Sequence, residues 1–320
     1  MSDLLNISKR MKEDWNSRTS LDYHFWMAEN IETDEEMWES GKADINLLIE
    51  NLHPDKIKNW SVLEYGSGTG RVLRAASYIF EKVTGVDVSD TAILKGKELL
   101  SDRANITLSP VNGLDLGDFK DETFDMAFSI SCLSHIPLSA LSRILFELTR
   151  VIKENGYLIV QFYTGTTTDL IAEDTIQPRA YSKEALLSAF AELGFIPYHT
   201  REYKPSFDPV DHKKKLIPYI FTLKKSASDK PLSIKKESQK NHEMVLEEII
   251  NPIGENPASS NWKGSFFEYQ LAATLLERKA KKGEIEQMIR IIEFALKRYK
   301  EPDHGTKDLL DKLKQMSEAN

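Results

Sequence analysis

The chain has 320 residues, 41% hydrophobic and 29% charged, enough for one full α/β domain with a smaller appendage and too many for one ordinary core. Its net charge of -8 argues against nucleic acid as the main partner, because such affinity rests on a basic footprint. With one cysteine, Cys132, no internal disulfide can form; no apolar run approaches the ~18 residues of a membrane span, and the first residues have no signal-peptide core, so a cytoplasmic chain is expected.

The first forty residues are amphipathic, with Trp15, Tyr23, Phe25, Trp26 and Trp38 set among acidic side chains, and they predict two or three short helices. From Ala43 helix and strand alternate: helix Ala43 to Asn51, strand Trp60 to Tyr65, helix Gly70 to Glu81, strand Val83 to Val88, and helix Asp90 to Leu100 with Ser89 as its N-cap. Strands follow at Ile106 to Ser109, Phe124 to Ser129 and Tyr157 to Tyr163, with the helix Ala140 to Lys153 before the last. Such alternation builds a parallel sheet covered on both faces, which binds ligands at the carboxyl ends of its strands.

The junction of the first strand and its helix, VLEYGSGTGR, is the most informative stretch. Gly66, Gly68 and Gly70 let the backbone take positive φ and approach a ligand, and the helix that follows offers free N–H groups. In the dinucleotide fingerprint a third glycine stands three places after the second; here that place holds Arg71. Glu64 ends the strand, where a carboxylate repels a diphosphate and suits an ammonium group. Asp87 closes the second strand, seventeen residues after Gly70, where it can accept both hydroxyls of a ribose. A ribose and an amino acid in one ligand describe S-adenosylmethionine.

With these residues the chain resembles the class I S-adenosylmethionine-dependent methyltransferases, and further motifs extend the resemblance from about Ala43 to Lys225. NGLDLGDFKDETFDMAFSISCLSHIP, Asn112 to Pro137, is similar to the family's turn beside the adenine, its Phe-Asp pair opening strand four and a His-Ile-Pro ending. LTRVIKENGYLIVQFY, Leu148 to Tyr163, is similar to the helix, Asn-Gly turn and fifth strand. The resemblance implies a Rossmann-like seven-stranded sheet whose last strand is antiparallel, and the two neighbouring strands Ile196 to Tyr203 and Leu216 to Lys224 suit such a pair. It also implies the cofactor contacts: Glu64, Gly66, Ser67, Gly68, Gly70 and Arg71 in the first turn, Asp87 and Val88 after strand two, Asn112, Gly113 and Leu114 after strand three, and Ser129 at the end of strand four. Many members carry an acidic residue where this chain has Asn112 and Gly113; an amide can still bond the adenine edge.

Segments before the first strand often fold over the cofactor in this family, so MKEDWNSRTSLDYHFW reads either as a lid, with Arg18 and Tyr23 as its test residues, or as aromatic packing on the sheet. His135 is the candidate base, with a structural hydrogen bond as the alternative use, and Gln161, Tyr163 and Thr164 are candidates for the acceptor pocket. The seven histidines form no metal-ligand pair, and no metal is expected. The expected partner is a small-molecule, sugar or lipid-precursor acceptor taking a methyl group on oxygen or nitrogen; the alternative is a non-catalytic protein of the same fold. The domain reading is an N-terminal helical lid over 1–42, the methyltransferase domain over 43–225, a polar linker over 226–240 and a C-terminal all-α appendage over 241–320. Helices are expected there at His242 to Ile250, Phe266 to Lys281, Glu284 to Lys300 and Thr306 to Met316, as plain packing or as a surface for self-association or a protein partner.

Overall fold

A computed structural model describes residues 2–27, 31–164, 175, 179–203, 217–227, 285–286, 288–290, 292–293, 296 and 304–319. The N-terminal segment forms α1 (Ser2–Leu21), α2 (Tyr23–Met27) and α3 (Asp34–Ile49). α1 is one twenty-residue helix where short ones were expected: no glycine or proline interrupts it, and Lys9 and Glu13 pair one turn apart. α3 starts nine residues before the expected Ala43 because Thr33 and Glu36 form a reciprocal capping box, each side chain bonded to the other's backbone N–H at 3.2 Å.

The domain then alternates: α4 (Pro54–Ile57), β1 (Ser61–Tyr65), α5 (Arg71–Ala76), β2 (Lys82–Asp87), α6 (Asp90–Leu99), β3 (Ile106–Pro110), β4 (Phe124–Ser129), α7 (Leu138–Val151) and β5 (Ile152–Thr164). It closes with β6 (Ala180–Tyr181), α8 (Lys183–Glu192), β7 (Phe195–Glu202) and β8 (Ile217–Lys225). The sheet runs β3-β2-β1-β4-β5-β8-β7, parallel through β5, with β8 antiparallel to both β5 and β7. The expected seven-stranded order with a reversed last strand is therefore present. An eighth strand of two residues, β6, pairs parallel with β5, and its brevity left it no pattern to read.

Two boundaries moved for local reasons. α5 stops at Ala76, short of the expected Glu81, because Arg103 and Asn105 take the carbonyl of Ser77, and Asn105 that of Phe80. β5 begins five residues before Tyr157: the Asn-Gly pair expected as a turn is an irregularity within the strand, with Asn155 at φ 59°.

Alternate strand residues feed two cores. Leu63, Ala127, Leu158 and Val160 face α7 and α8; Val62, Met126, Phe128 and Ile159 face α3, α5 and α6. α3 is locked to α5 by Gly41, which packs on the backbone of Arg71, and by a buried ion pair of Arg71 with Asp44 at 2.6 Å, completed by Ser40 and the Tyr203 hydroxyl.

Most of the C-terminal expectation, including the linker beyond residue 227 and the helices expected at 242–250 and 266–281, lies outside the described residues. The helix His304–Ala319 is present where Thr306 to Met316 was expected, and its Leu309, Leu310 and Leu313 pack with Ile285, Met288 and Ile292. Among the described residues no helix is long and apolar enough to cross a membrane.

The Gly41 contact yields a direct test. A Cβ there would stand 1.9 Å from the Arg71 carbonyl oxygen, so Gly41→Ala must separate α3 from α5. We expect a loss of about 3 kcal/mol in urea unfolding, at the upper end of overpacking costs; an unchanged midpoint would show that the helices are not in this contact.

Candidate functional site

The sheet's carboxyl edge opens into a pocket enclosing about 880 Å³ of space, part of it open to solvent. Its floor is the turn after β1. Gly66 and Ser67 both donate their N–H to the Val86 carbonyl, at 2.8 and 3.0 Å, which ties the turn to the end of β2. Gly66 and Gly68 take positive φ, 76° and 54°. A side chain on Gly66 would meet the Cys132 sulfur at 2.2 Å, and one on Gly68 would meet the Met27 sulfur at 2.1 Å, so both places require glycine.

Two carboxyl groups line this floor. Glu64 is buried, and its Oε2 has no hydrogen-bond partner among the described residues; the buried Ser67 hydroxyl beside it has none either. Loss of hydration pushes the Glu64 carboxyl well above its ordinary range, against an opposing pull from Arg71. Asp87 accepts the Gly68 N–H on Oδ2 and the Ser89 N–H on Oδ1, both at 2.8 Å. Burial raises its carboxyl as well, and these backbone N–H groups pull against that rise. Each Asp87 oxygen keeps a lone pair for a further donor.

The roof is α1, which crosses the ends of successive strands. Ser8 bonds the Asn112 carbonyl after β3, Lys12 pairs with Asp90 at 2.8 Å, and Asn16 accepts from the Ser89 hydroxyl and the Thr91 N–H. The Trp15 ring meets His135 edge-on at 6.3 Å, and Arg18 reaches Thr175 beyond β5 at 2.9 Å. Met11, Trp15 and Thr19, four residues apart and so on one face of α1, line the pocket together with Trp26 and Met27 of α2. Met27 latches α2 to the floor by accepting the Thr69 N–H at 3.3 Å. The N-terminal segment is thus a lid, and its aromatic residues wall a cavity as well as packing on the domain.

Of the residues expected at the site, Glu64, Gly66, Ser67, Gly68, Arg71, Asp87, Val88, Gly113 and His135 come together around the pocket. Gly70, Asn112, Leu114 and Ser129 do not line it. Gly70 is the left-handed N-cap of α5, Leu114 is in the core, and the Ser129 hydroxyl ties to the Tyr65 carbonyl. The Asn112 amide is spent inside its own turn, accepting from Leu114 and Asp115 and donating to the Asp115 carboxylate. Gln161, Tyr163 and Thr164 also stand off it: Gln161 is buried, accepting the Ser131 N–H at 2.7 Å, and Thr164 bonds the Ile217 carbonyl. Neither lid test residue lines the pocket. Arg18 lies over the Trp15 and Trp26 rings, and Tyr23 bonds Asp34. The residues that sequence reasoning missed, Met11 and Thr19, were marked by the four-residue spacing through Trp15. Cys132 is partly buried against Gly66, and burial pushes its thiol up, away from thiolate chemistry. Among the described residues no cluster could hold a metal.

A doubly wound sheet of this strand order, with a glycine turn and two carboxyls at its carboxyl edge, defines a ligand-binding α/β domain of the methyltransferase type. Residues 63–160 match the family model described as a methyltransferase domain, and this part of the chain is a class I S-adenosylmethionine-dependent methyltransferase domain. The chain is 31% identical over 118 residues to a sterol 4-C-methyltransferase of Caenorhabditis elegans, a match covering 35% of this chain and 31% of that protein. It is 33% identical over 99 residues to a demethylmenaquinone methyltransferase of Tropheryma whipplei, covering 31% and 40%. The match thus spans about a third of the length of these relatives. Its fold is similar to that of magnesium protoporphyrin IX methyltransferase from Synechocystis, solved with bound S-adenosylmethionine, with a TM-score of 0.52 at 15% identity over 69% of this chain and 97% of that one.

The buried Glu64 carboxyl predicts a stability effect with a definite sign. Its folded pKa is raised, so the folded state binds a proton that the unfolded state releases above about pH 4.3. Folding is therefore penalised above that pH, increasingly so until the folded pKa is passed. Glu64→Gln, which copies the protonated form, should melt about 2–4 °C higher than wild type at pH 8, equivalent to ~1 kcal/mol. The gap should narrow as the pH falls towards the unfolded pKa. A variant that melts lower at pH 8 would mean that Glu64 is ionised and paired in the free protein.

Proposed function

We propose that the protein is an S-adenosylmethionine-dependent methyltransferase acting on a small organic acceptor. The observation that carries this is the partnerless Glu64 Oε2 and Ser67 hydroxyl on the floor of a pocket whose turn admits no side chain at Gly66 or Gly68. An isolated buried carboxyl is costly unless something charged meets it, and an ammonium group is the matching partner. Asp87, with spare acceptor capacity on both oxygens, suits a pair of ribose hydroxyls. The residues present therefore fit S-adenosylmethionine, which Glu64 and Ser67 would hold at its amino-acid end and Asp87 at its ribose.

When bound, that cofactor supplies an electrophilic methyl group on a sulfonium that leaves neutral. What the chain must add is alignment and dryness. The two carboxyls make the floor favour a cation over an anion. α1 and α2 cover the pocket with Met11, Trp15, Trp26 and Met27, which limits the access of water. His135, on the 3-10 turn after β4, faces the same cavity, its carbonyl fixed by Arg179 at 2.8 Å. Its place suits it either to take a proton from an acceptor hydroxyl or amine or to make a structural hydrogen bond. The two curated relatives, named for a sterol and for demethylmenaquinone, favour a neutral organic acceptor. The C-terminal helices are read as packing or as a surface for a second copy or another protein.

Calorimetric titration with S-adenosylhomocysteine, using NAD as control, tests the cofactor. We expect micromolar binding of the first, about -8 kcal/mol, and none of the second. Asp87→Ala should weaken binding at least about tenfold, the loss of a charged hydrogen-bond partner. No binding of S-adenosylhomocysteine by the wild-type chain would sink the proposal in favour of a non-catalytic role, and unchanged affinity in Asp87→Ala would remove Asp87 from the site.

A further inference from the structure

The lid carries a second polar orphan that the cofactor reading leaves unused. Thr19 is 5% exposed, lines the pocket, and its hydroxyl has no hydrogen-bond partner among the described residues. A buried hydroxyl left unsatisfied is costly, so the site is built for a ligand atom that completes it. Met11, at one end of the same helical stripe, packs over Gly113 after β3. Thr19 is eight residues further on, about 12 Å along the axis at 1.5 Å per residue. It therefore stands at the end of the pocket away from β3, alongside the face where Trp15 meets His135.

The surroundings define what that atom belongs to. Trp15 and Trp26 both line the pocket, with ring centroids 6.4 Å apart and planes at 88°, which makes a rigid aromatic corner. The Arg18 guanidinium, fully buried and not part of the lining, lies over both rings at 5.0 and 5.7 Å. Arg18 donates to the Thr175 hydroxyl, which donates to Asp14 at 2.7 Å, so its charge is answered within the lid. Arg71, the cation that does line the pocket, is paired with Asp44. Among the described lining residues an anionic acceptor would find Glu64 and Asp87 across the pocket and no Lys or Arg other than the paired Arg71.

We propose that Thr19, with the Trp15–Trp26 corner, forms the acceptor subsite of this enzyme, and that the acceptor is a neutral aromatic ring bearing a hydroxyl or carbonyl oxygen that bonds the Thr19 hydroxyl. The proposal rests on the methyltransferase reading and deepens it. The flat ring supplies a face and an edge to the two indoles, and Thr19 fixes which substituent points away from the strand-three side. Thr19 is a specificity residue here; the proton transfer and the methyl transfer need nothing from it.

Naphthol, its saturated counterpart decahydronaphthol and the anion naphthoate serve as probes, each titrated calorimetrically into the full chain saturated with S-adenosylhomocysteine. Naphthol should bind at least about tenfold tighter than either of the others, the worth of an aromatic contact on one side and of a misplaced charge on the other. Thr19→Val should weaken naphthol at least about fivefold, while Thr19→Ser, which keeps the hydroxyl, stays within about twofold of wild type. Equal binding of decahydronaphthol overturns the aromatic corner, equal or tighter binding of naphthoate overturns the neutral class, and an unaffected Thr19→Val overturns the hydrogen bond. Loss of S-adenosylhomocysteine binding in Thr19→Val would assign the hydroxyl to the cofactor and also overturn the proposal. The wild-type comparison stands even where the valine variant does not fold. Failure of the wild-type chain to bind S-adenosylhomocysteine brings down the methyltransferase reading and this one with it; binding of that ligand without discrimination among the probes brings down this one alone.

Discussion

The withdrawal of two carboxyls from water at the ends of β1 and β2 is the constraint on which the rest of the molecule turns. Glu64 is buried and Asp87 half-buried, and no cation reaches Glu64 by a direct hydrogen bond among the described residues. The protein manages this by geometry more than by neutralisation. Backbone N–H groups of Gly68 and Ser89 hold Asp87, and Arg71 relieves Glu64 through space while its own ion pair goes to Asp44. That ion pair fixes α3 on α5, and α3 can come so close because position 41 has no side chain. The cation that relieves Glu64 is thus the one that locks the domain's second core, and the unmet carboxyl is a cost that a site built for a cationic ligand retains.

The lid is held differently. Of α1's side chains Met11 lies in the main core cluster with Leu4 and Ile7 packed against it, and the helix has polar anchors besides: Ser8 on a carbonyl, Lys12 on Asp90, Asn16 on the cap of α6 and the Arg18–Thr175–Asp14 chain. An exposed contact such as the Lys12–Asp90 pair is worth about 1 kcal/mol or less, whereas Arg18, Thr175 and Asp14 are buried. A helix held in part by exposed contacts opens more readily than the strands beneath it, which are packed on both faces. The contrast suits a site whose floor must be fixed and whose roof must let ligands pass.

This division also explains what could be read from the sequence. Strands buried on both faces are unbroken apolar runs, and a turn that excludes side chains leaves glycines at fixed intervals; the sheet, Glu64 and Asp87 were legible for those reasons. The start of α3 was legible too, in the Thr33–Glu36 pair, but apolar periodicity alone placed it at Ala43. The acceptor wall was not, because helical spacing shows that Met11, Trp15 and Thr19 share a face without showing what the face meets. Arg18 and Tyr23 drew attention as polar and aromatic residues in the lid, yet one stands behind the indoles and the other serves the α2–α3 junction. Asn112 shows the converse: its amide matches the adenine turn by position, and both of its polar atoms bond within that turn.

Floor and roof are coupled through Met27. Its sulfur sits where a Gly68 side chain would be and accepts the Thr69 N–H, so the closed roof touches the same turn that faces the ligand. A ligand that meets Glu64 and Asp87 removes the desolvation penalty from the floor, and its body gives the indoles a surface to pack on. The second gain belongs to the closed state alone. By linkage, whatever binds the closed form preferentially also stabilises it against opening, by an amount set by its concentration relative to its affinity. The closed roof, with Met27 on the turn and Trp15 beside His135, is therefore the form that a ligand held between floor and lid would favour.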